Sequence, residues 1–104
     1  MSGMIDEFRD LSYSDAPKIV VKPPGPKARE LLERQKQFDS RAVYYPTVIP
    51  TAWDAGKGAT LRDVDGNTYI DFVAGISVLN VGHSNPYVIK AVEQQLEKLT
   101  HALD

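Results

Sequence analysis

Residues 59–72 read ATLRDVDGNTYIDF, and the fold turns on how that run divides. Asp65, Gly66 and Asn67 tolerate the backbone angles of a tight turn, while the residues on either side are rich in β-branched and aromatic types. The division is therefore strand, turn, strand, which predicts a β-hairpin. In the second strand Tyr69 and Asp71 alternate with Ile70 and Phe72, so one of the two sets faces inward.

Upstream, RAVYYPTVIPTAW (41–53) is β-prone but interrupted by Pro46 and Pro50. Proline cannot donate to a ladder, so this stretch reads as edge or irregular extended chain. Gly56-Lys57-Gly58 reads as a second turn. PKARELLERQKQF (26–38) combines good helix formers with a proline in the first turn and a Glu30/Arg34 pair, and predicts a helix. Its narrow apolar face of Ala28, Leu31, Leu32 and Phe38 suits a surface rather than the centre of a core. Residues 1–26 carry Pro17, Pro23, Pro24 and Pro26 and read as an extended arm.

Downstream, DFVAGISVLNVGHSNP (71–86) is small, apolar and broken by Gly75 and Gly82. It reads as a tight crossover or as the wall of a small-molecule pocket. Ser84 or Asn85 then caps a helix with Pro86 in its first turn. Val88, Val92, Leu96, Leu99 and Leu103 recur at helical spacing and form one stripe. The fold class expected is α+β: an N-terminal arm and helix, a β-hairpin or small antiparallel sheet, and an amphipathic C-terminal helix. A stripe still running at Leu103, and too few apolar faces to close around one another, make the expectation an N-terminal fragment of something larger.

The 104 residues carry a formal charge of −2, 42% hydrophobic and 25% charged residues, and no cysteine. This balance supplies no basic field for nucleic acid, and no apolar run approaches a membrane span. Absence of cysteine rules out disulfides and thiolate metal sites, and the acidic start MSGMIDEFRD lacks the pattern of a secretory signal, so the expected address is the cytoplasm. Asp63 to Asn67 cannot be a calcium loop, because its glycine stands fourth rather than sixth. Gly56-Lys57-Gly58 lacks the remaining positions of a phosphate-binding loop. His83 and His101 have no ligand-type neighbours in sequence, and His83 reads as an imidazole fixing a loop through its backbone. No serine or lysine stands in a nucleophile context.

The run from Gly56 to Phe72, followed by AGISVLNVGHSNPYVIKAVEQQ, resembles the class III pyridoxal-phosphate aminotransferases, in the branch of 4-aminobutyrate and ornithine aminotransferases. The resemblance covers roughly Tyr44 to Leu99, and the branch is also similar to some amino-acid racemases. It implies a parent of fold type I in which residues 1–26 form an arm and 27–104 the N-terminal part of the small domain. A large domain would carry pyridoxal 5'-phosphate and its lysine, and the enzyme would be a homodimer. By the same resemblance the substrates are an amino donor such as 4-aminobutyrate and a 2-oxo acid such as 2-oxoglutarate. Ile76 falls on the family's substrate wall and Tyr44, or its neighbour Tyr45, on the aromatic position beside it. The fragment alone is expected neither to bind the cofactor nor to transaminate. A different reading is a freestanding module that docks on a protein through the Val88 to Leu103 stripe.

Overall fold

The computed structural model of the chain describes residues 10–40, 42 and 48–102. Helix α1 spans Pro26–Phe38, as its composition predicts. Strands β1 (Trp53–Lys57), β2 (Thr60–Asp63) and β3 (Thr68–Ile70) form an antiparallel sheet in chain order. A four-residue helical turn, α2 (Ala74–Ser77), precedes helix α3 (Pro86–Leu96). The architecture is the small α+β arrangement expected.

The hairpin stands where its turn residues place it, with Leu61 opposite Tyr69 and Arg62 opposite Thr68. The second turn lies one step later than expected. Gly56 and Lys57 belong to β1, paired with Leu61 and Thr60, and the chain reverses over Gly58 and Ala59. A bulge between Trp53 and Ala55 disturbs the start of β1. The strand is therefore built from residues that sequence reading assigns to a turn, because pairing with β2 outweighs the weak strand preference of glycine.

Packing is the larger departure. Ala28 is the one buried apolar side chain among the described residues, and the others buried are Thr60, Asp63, Asn67 and Thr68. The alternation in β3 does not hide Ile70 or Phe72, which is 92% exposed. Tyr69 is instead half-buried, its ring edge-on to Trp53 with centroids 5.3 Å apart. What holds the described residues together is a polar knot in the hairpin turn.

Asp63 is its centre. One carboxylate oxygen accepts the backbone N–H groups of Asp65 (3.0 Å) and Asn67 (2.9 Å). The other accepts Asn67 Nδ2–H and the Tyr69 hydroxyl, each at 2.8 Å. Asn67, fully buried, then turns its own Oδ1 outward to accept Val20 N–H (2.7 Å) and Val21 N–H (2.9 Å). Lys18 and Thr68 exchange both backbone hydrogen bonds, so this part of the proline-rich segment is fixed along β3.

The same turn caps α1. Gly25 offers no side chain at the N-cap, and Asp65 supplies one from 40 positions along, its two oxygens accepting Lys27 N–H and Ala28 N–H at 2.9 Å each. A carboxylate there satisfies two orphan amides and complements the positive end of the helix dipole.

At the other end α3 stops at Leu96, although the apolar spacing continues. Residues 87–100 are exposed throughout, and a helix end without packing loses the tertiary support that sustains it. Val88, Val92 and Leu96 thus share a helix, Leu99 lies past it, and Leu103 and Tyr44 lie outside the described residues.

Removing the knot should cost far more than removing the cap. Asn67→Ala strips three side-chain hydrogen bonds and strands the Val20 and Val21 amides, an expected loss of about 3 kcal/mol; Asp65→Ala should cost about 1 kcal/mol. Denaturant titration of the two variants checks the order, and equal losses would contradict it.

The knot also sets a pH window. Burial pushes the Asp63 carboxyl up, but the hydrogen bonds from Asn67, Tyr69 and the turn amides outweigh it and hold the group below its ordinary 3.8. Burial and donation to Asp63 push Tyr69 up from 10.0 to about 12. Stability from Asp63 is present above pH 3.8 and is lost as pH falls through its folded value. Stability from Tyr69 is complete below pH 10.0 and is lost as pH rises toward about 12. Tyrosinate absorbance should show a step near pH 12, and that step should vanish in Tyr69→Phe.

Candidate functional site

The segment singled out by its glycines, 71–83, closes on itself. Its entry is tied to the β1–β2 turn by Asp71 N–H donating to Ala59 O (2.8 Å). Its exit is tied to the same turn, His83 and Gly58 exchanging two backbone hydrogen bonds of 2.8 and 3.0 Å. The exit can approach so closely because residue 82 is glycine: a Cβ there would stand 2.7 Å from Gly58 Cα.

Side chains reinforce the closure. Asp71 Oδ1 accepts Val73 N–H (3.1 Å) and Ala74 N–H (2.9 Å), and Oδ2 lies 2.6 Å from His83 Nε2. The Ala74 amide, then the His83 imidazole, hold the Asp71 carboxyl below its usual range. An ionised carboxylate only accepts, so His83 Nε2 carries the proton. The imidazole packs on Gly56, where a Cβ would meet its Cγ at 2.7 Å. His83 fixes the loop as expected, but its ring does so through a carboxylate while its own backbone holds the sheet.

Between these ties the backbone is left-handed. Ala74, Gly75, Ile76 and Ser77 have φ of 52°, 64°, 62° and 62°. Only glycine adopts this region freely, and each other residue there costs about 1–2 kcal/mol. The turn is held by Ser77 N–H to Val73 O (3.1 Å) and Val78 N–H to Ala74 O (2.9 Å). Ile76, a β-branched residue that resists such angles most, points outward at 70% exposure. Strain of this kind marks functional loops.

A cavity of about 280 Å³ opens between the loop and the β1–β2 turn, with Ala59, Asp71, Ala74, Leu79, Asn80 and His83 in its wall. Ile76 is not part of that wall. Asp71 has both oxygens engaged, and the lining contains no lysine. These residues by themselves do not fit pyridoxal phosphate, which needs a lysine for its aldehyde and donors for its phosphate. Among the described residues no three carboxylate or imidazole groups gather to hold a metal ion. His101 is exposed and takes no part in the site.

Asp71 is the site residue that sequence reading misses. Its partner stands 12 positions away across an irregular loop, a separation no periodicity marks.

Residues 43–103 match the family model "Aminotransferase class-III". The chain is 44% identical over 87 residues to an alanine/serine racemase of Pyrococcus horikoshii, covering 84% of this chain and 18% of that protein. It is 42% identical over 73 residues to a 4-aminobutyrate aminotransferase of Escherichia coli, covering 70% of this chain and 17% of that protein. Among solved structures, the ornithine aminotransferase of Toxoplasma gondii superposes with a TM-score of 0.61 at 36% identity, over 73% of this chain and 17% of that one. The chain thus spans less than a fifth of the length of these relatives. Among the described residues no helix is long and apolar enough to cross a membrane.

Because the left-handed turn is strained at Ile76, Ile76→Gly, which removes an exposed side chain and its steric conflict, should leave stability unchanged or raise it by up to about 1 kcal/mol. Thermal or denaturant unfolding checks this, and a loss above about 1 kcal/mol would show that the side chain is held by packing instead.

Proposed function

Because the chain belongs to the class III aminotransferase family, we propose that it serves as the arm (1–26) and the N-terminal part of the small domain (27–104) of an enzyme that transfers an amino group to 2-oxoglutarate. The donor in this reading is 4-aminobutyrate or a related amino compound. The enzyme acts in the cytoplasm as a homodimer. Pyridoxal 5'-phosphate, held by residues other than those described, supplies the electron sink for the chemistry.

One observation carries the reading to a particular residue: a loop tied at both ends to the sheet presents Ile76 outward on a strained turn. An exposed apolar side chain held at such angles suits contact with a small ligand supplied from elsewhere, and Ile76 is the position the resemblance places on the substrate wall. By the resemblance, branches that bind ornithine tend to show a tyrosine at this position, so an isoleucine favours 4-aminobutyrate or an apolar amino acid. Tyr44 completes that wall in the same reading. The role of this segment is to shape and exclude water from the donor pocket, and no proton transfer falls to it.

Racemization is the second reading. The similarity to the alanine/serine racemase extends over more of the chain, and at slightly higher identity, than that to the 4-aminobutyrate aminotransferase.

In the enzyme that contains this segment, Ile76→Tyr should shift the kcat/KM ratio between 4-aminobutyrate and ornithine by about tenfold, while cofactor binding stays nearly intact. An unchanged ratio would remove Ile76 from the donor site. Pyridoxal phosphate mixed with the 104-residue chain alone should give no saturable visible band. A stoichiometric band would place a cofactor site within these residues.

A further inference from the structure

We propose that Asp71 and His83 are positioning residues: together they form a clasp that keeps the left-handed turn Ala74–Ser77 closed and so aims Ile76 at the amino donor. The proposal rests on the reading of Ile76 as a donor-site residue.

The turn's own backbone hydrogen bonds, from Ser77, Val78 and Leu79, close it but must work against its angles. Three of its four residues are unsuited to positive φ, few side chains pack on it, and Ile76 and Val78 are 70% and 72% exposed. Left to local preference, the segment would relax to right-handed or extended angles. What opposes relaxation is one carboxylate used on both sides. Asp71 Oδ1 receives the two amides that enter the turn, and its Oδ2 binds the imidazole that leaves the loop. His83 is itself immobilised, its backbone paired with Gly58 and its ring seated on Gly56. The clasp thus connects the entry of the strained turn to the rigid sheet by a route separate from the backbone. Among the described residues only the Nε2–H to carboxylate bond of His83 and Asp71 makes that connection.

Amide hydrogen exchange on the full chain tests the clasp without any assay of activity. In His83→Ala the amides of Ser77, Val78 and Leu79 should exchange at least about tenfold faster, while those of Lys18, Asp63 and Thr68 keep their protection. In His83→Gln, whose Nε2 can still donate to Asp71, the turn amides should return to within about threefold of their original rates. Unchanged turn amides in His83→Ala would overturn the clasp. So would equal loss of protection in turn and sheet that His83→Gln does not restore, since His83 would then support the sheet at large. In the enzyme, His83→Ala should alter the kcat/KM ratio between 4-aminobutyrate and ornithine. Faster turn exchange with an unchanged preference would leave the clasp standing but remove Ile76 from the donor site, and with it the positioning role.

Discussion

A carboxylate taken out of water must be surrounded by donors, and Asp63 is surrounded by four. That requirement organises the described residues more than any apolar core does. The hairpin turn curls so that its own amides reach Asp63, which brings Asn67 inside. Asn67 must in turn find donors for its oxygen, and those are the amides of Val20 and Val21. The turn's remaining acid, Asp65, is left facing the start of α1 and caps it. The segment around Lys18 to Val21, helix α1 and the sheet are thus assembled around five residues, 63–67, by donors and acceptors that leave little choice of partner. Buried networks of this kind fix one arrangement because partial satisfaction is so unfavourable.

The loop at 71–83 inherits its geometry from that frame. The sheet fixes the β1–β2 turn, and that turn receives both ends of the loop, through Ala59 and Gly58. A strained element far from any core can persist only if its surroundings over-determine it, and here two backbone anchors and one carboxylate do so. The loop leaves Phe72, Val73, Ile76, Val78 and Val81 outside, as α3 leaves its own apolar side chains. The segment therefore combines a polar, self-sufficient frame with an apolar presenting surface, an arrangement suited to building one wall of a pocket.

Sequence alone discloses the elements whose causes are local. Gly66 and its neighbours announce the hairpin, Pro26 the start of α1, and Asn85 with Pro86 the start of α3, because turn and cap chemistry act within a few residues. It misses what depends on distant partners. Gly56 and Lys57 read as a turn until β2 is set beside them. Asp63 and Asn67 read only as turn formers, since nothing local reveals that the first carboxylate will be dry. Asp71 passes unnoticed because its imidazole partner lies across an aperiodic loop. Ile76 stands out only through the family resemblance, and its left-handed backbone is not legible in the sequence, because a β-branched residue argues against such angles.

The functional account stands or falls on where the amino nitrogen goes. The most direct measurement follows it: the protein expressed from the whole reading frame that contains these residues is incubated with pyridoxal phosphate, 2-oxoglutarate and amino-nitrogen-labelled 4-aminobutyrate, and glutamate is isolated. The account predicts label in glutamate, formed in step with loss of the donor. Absence of labelled glutamate, with the donor unconsumed, would contradict transamination, and inversion of added alanine with retention of its nitrogen in a parallel incubation would assign the segment to a racemase.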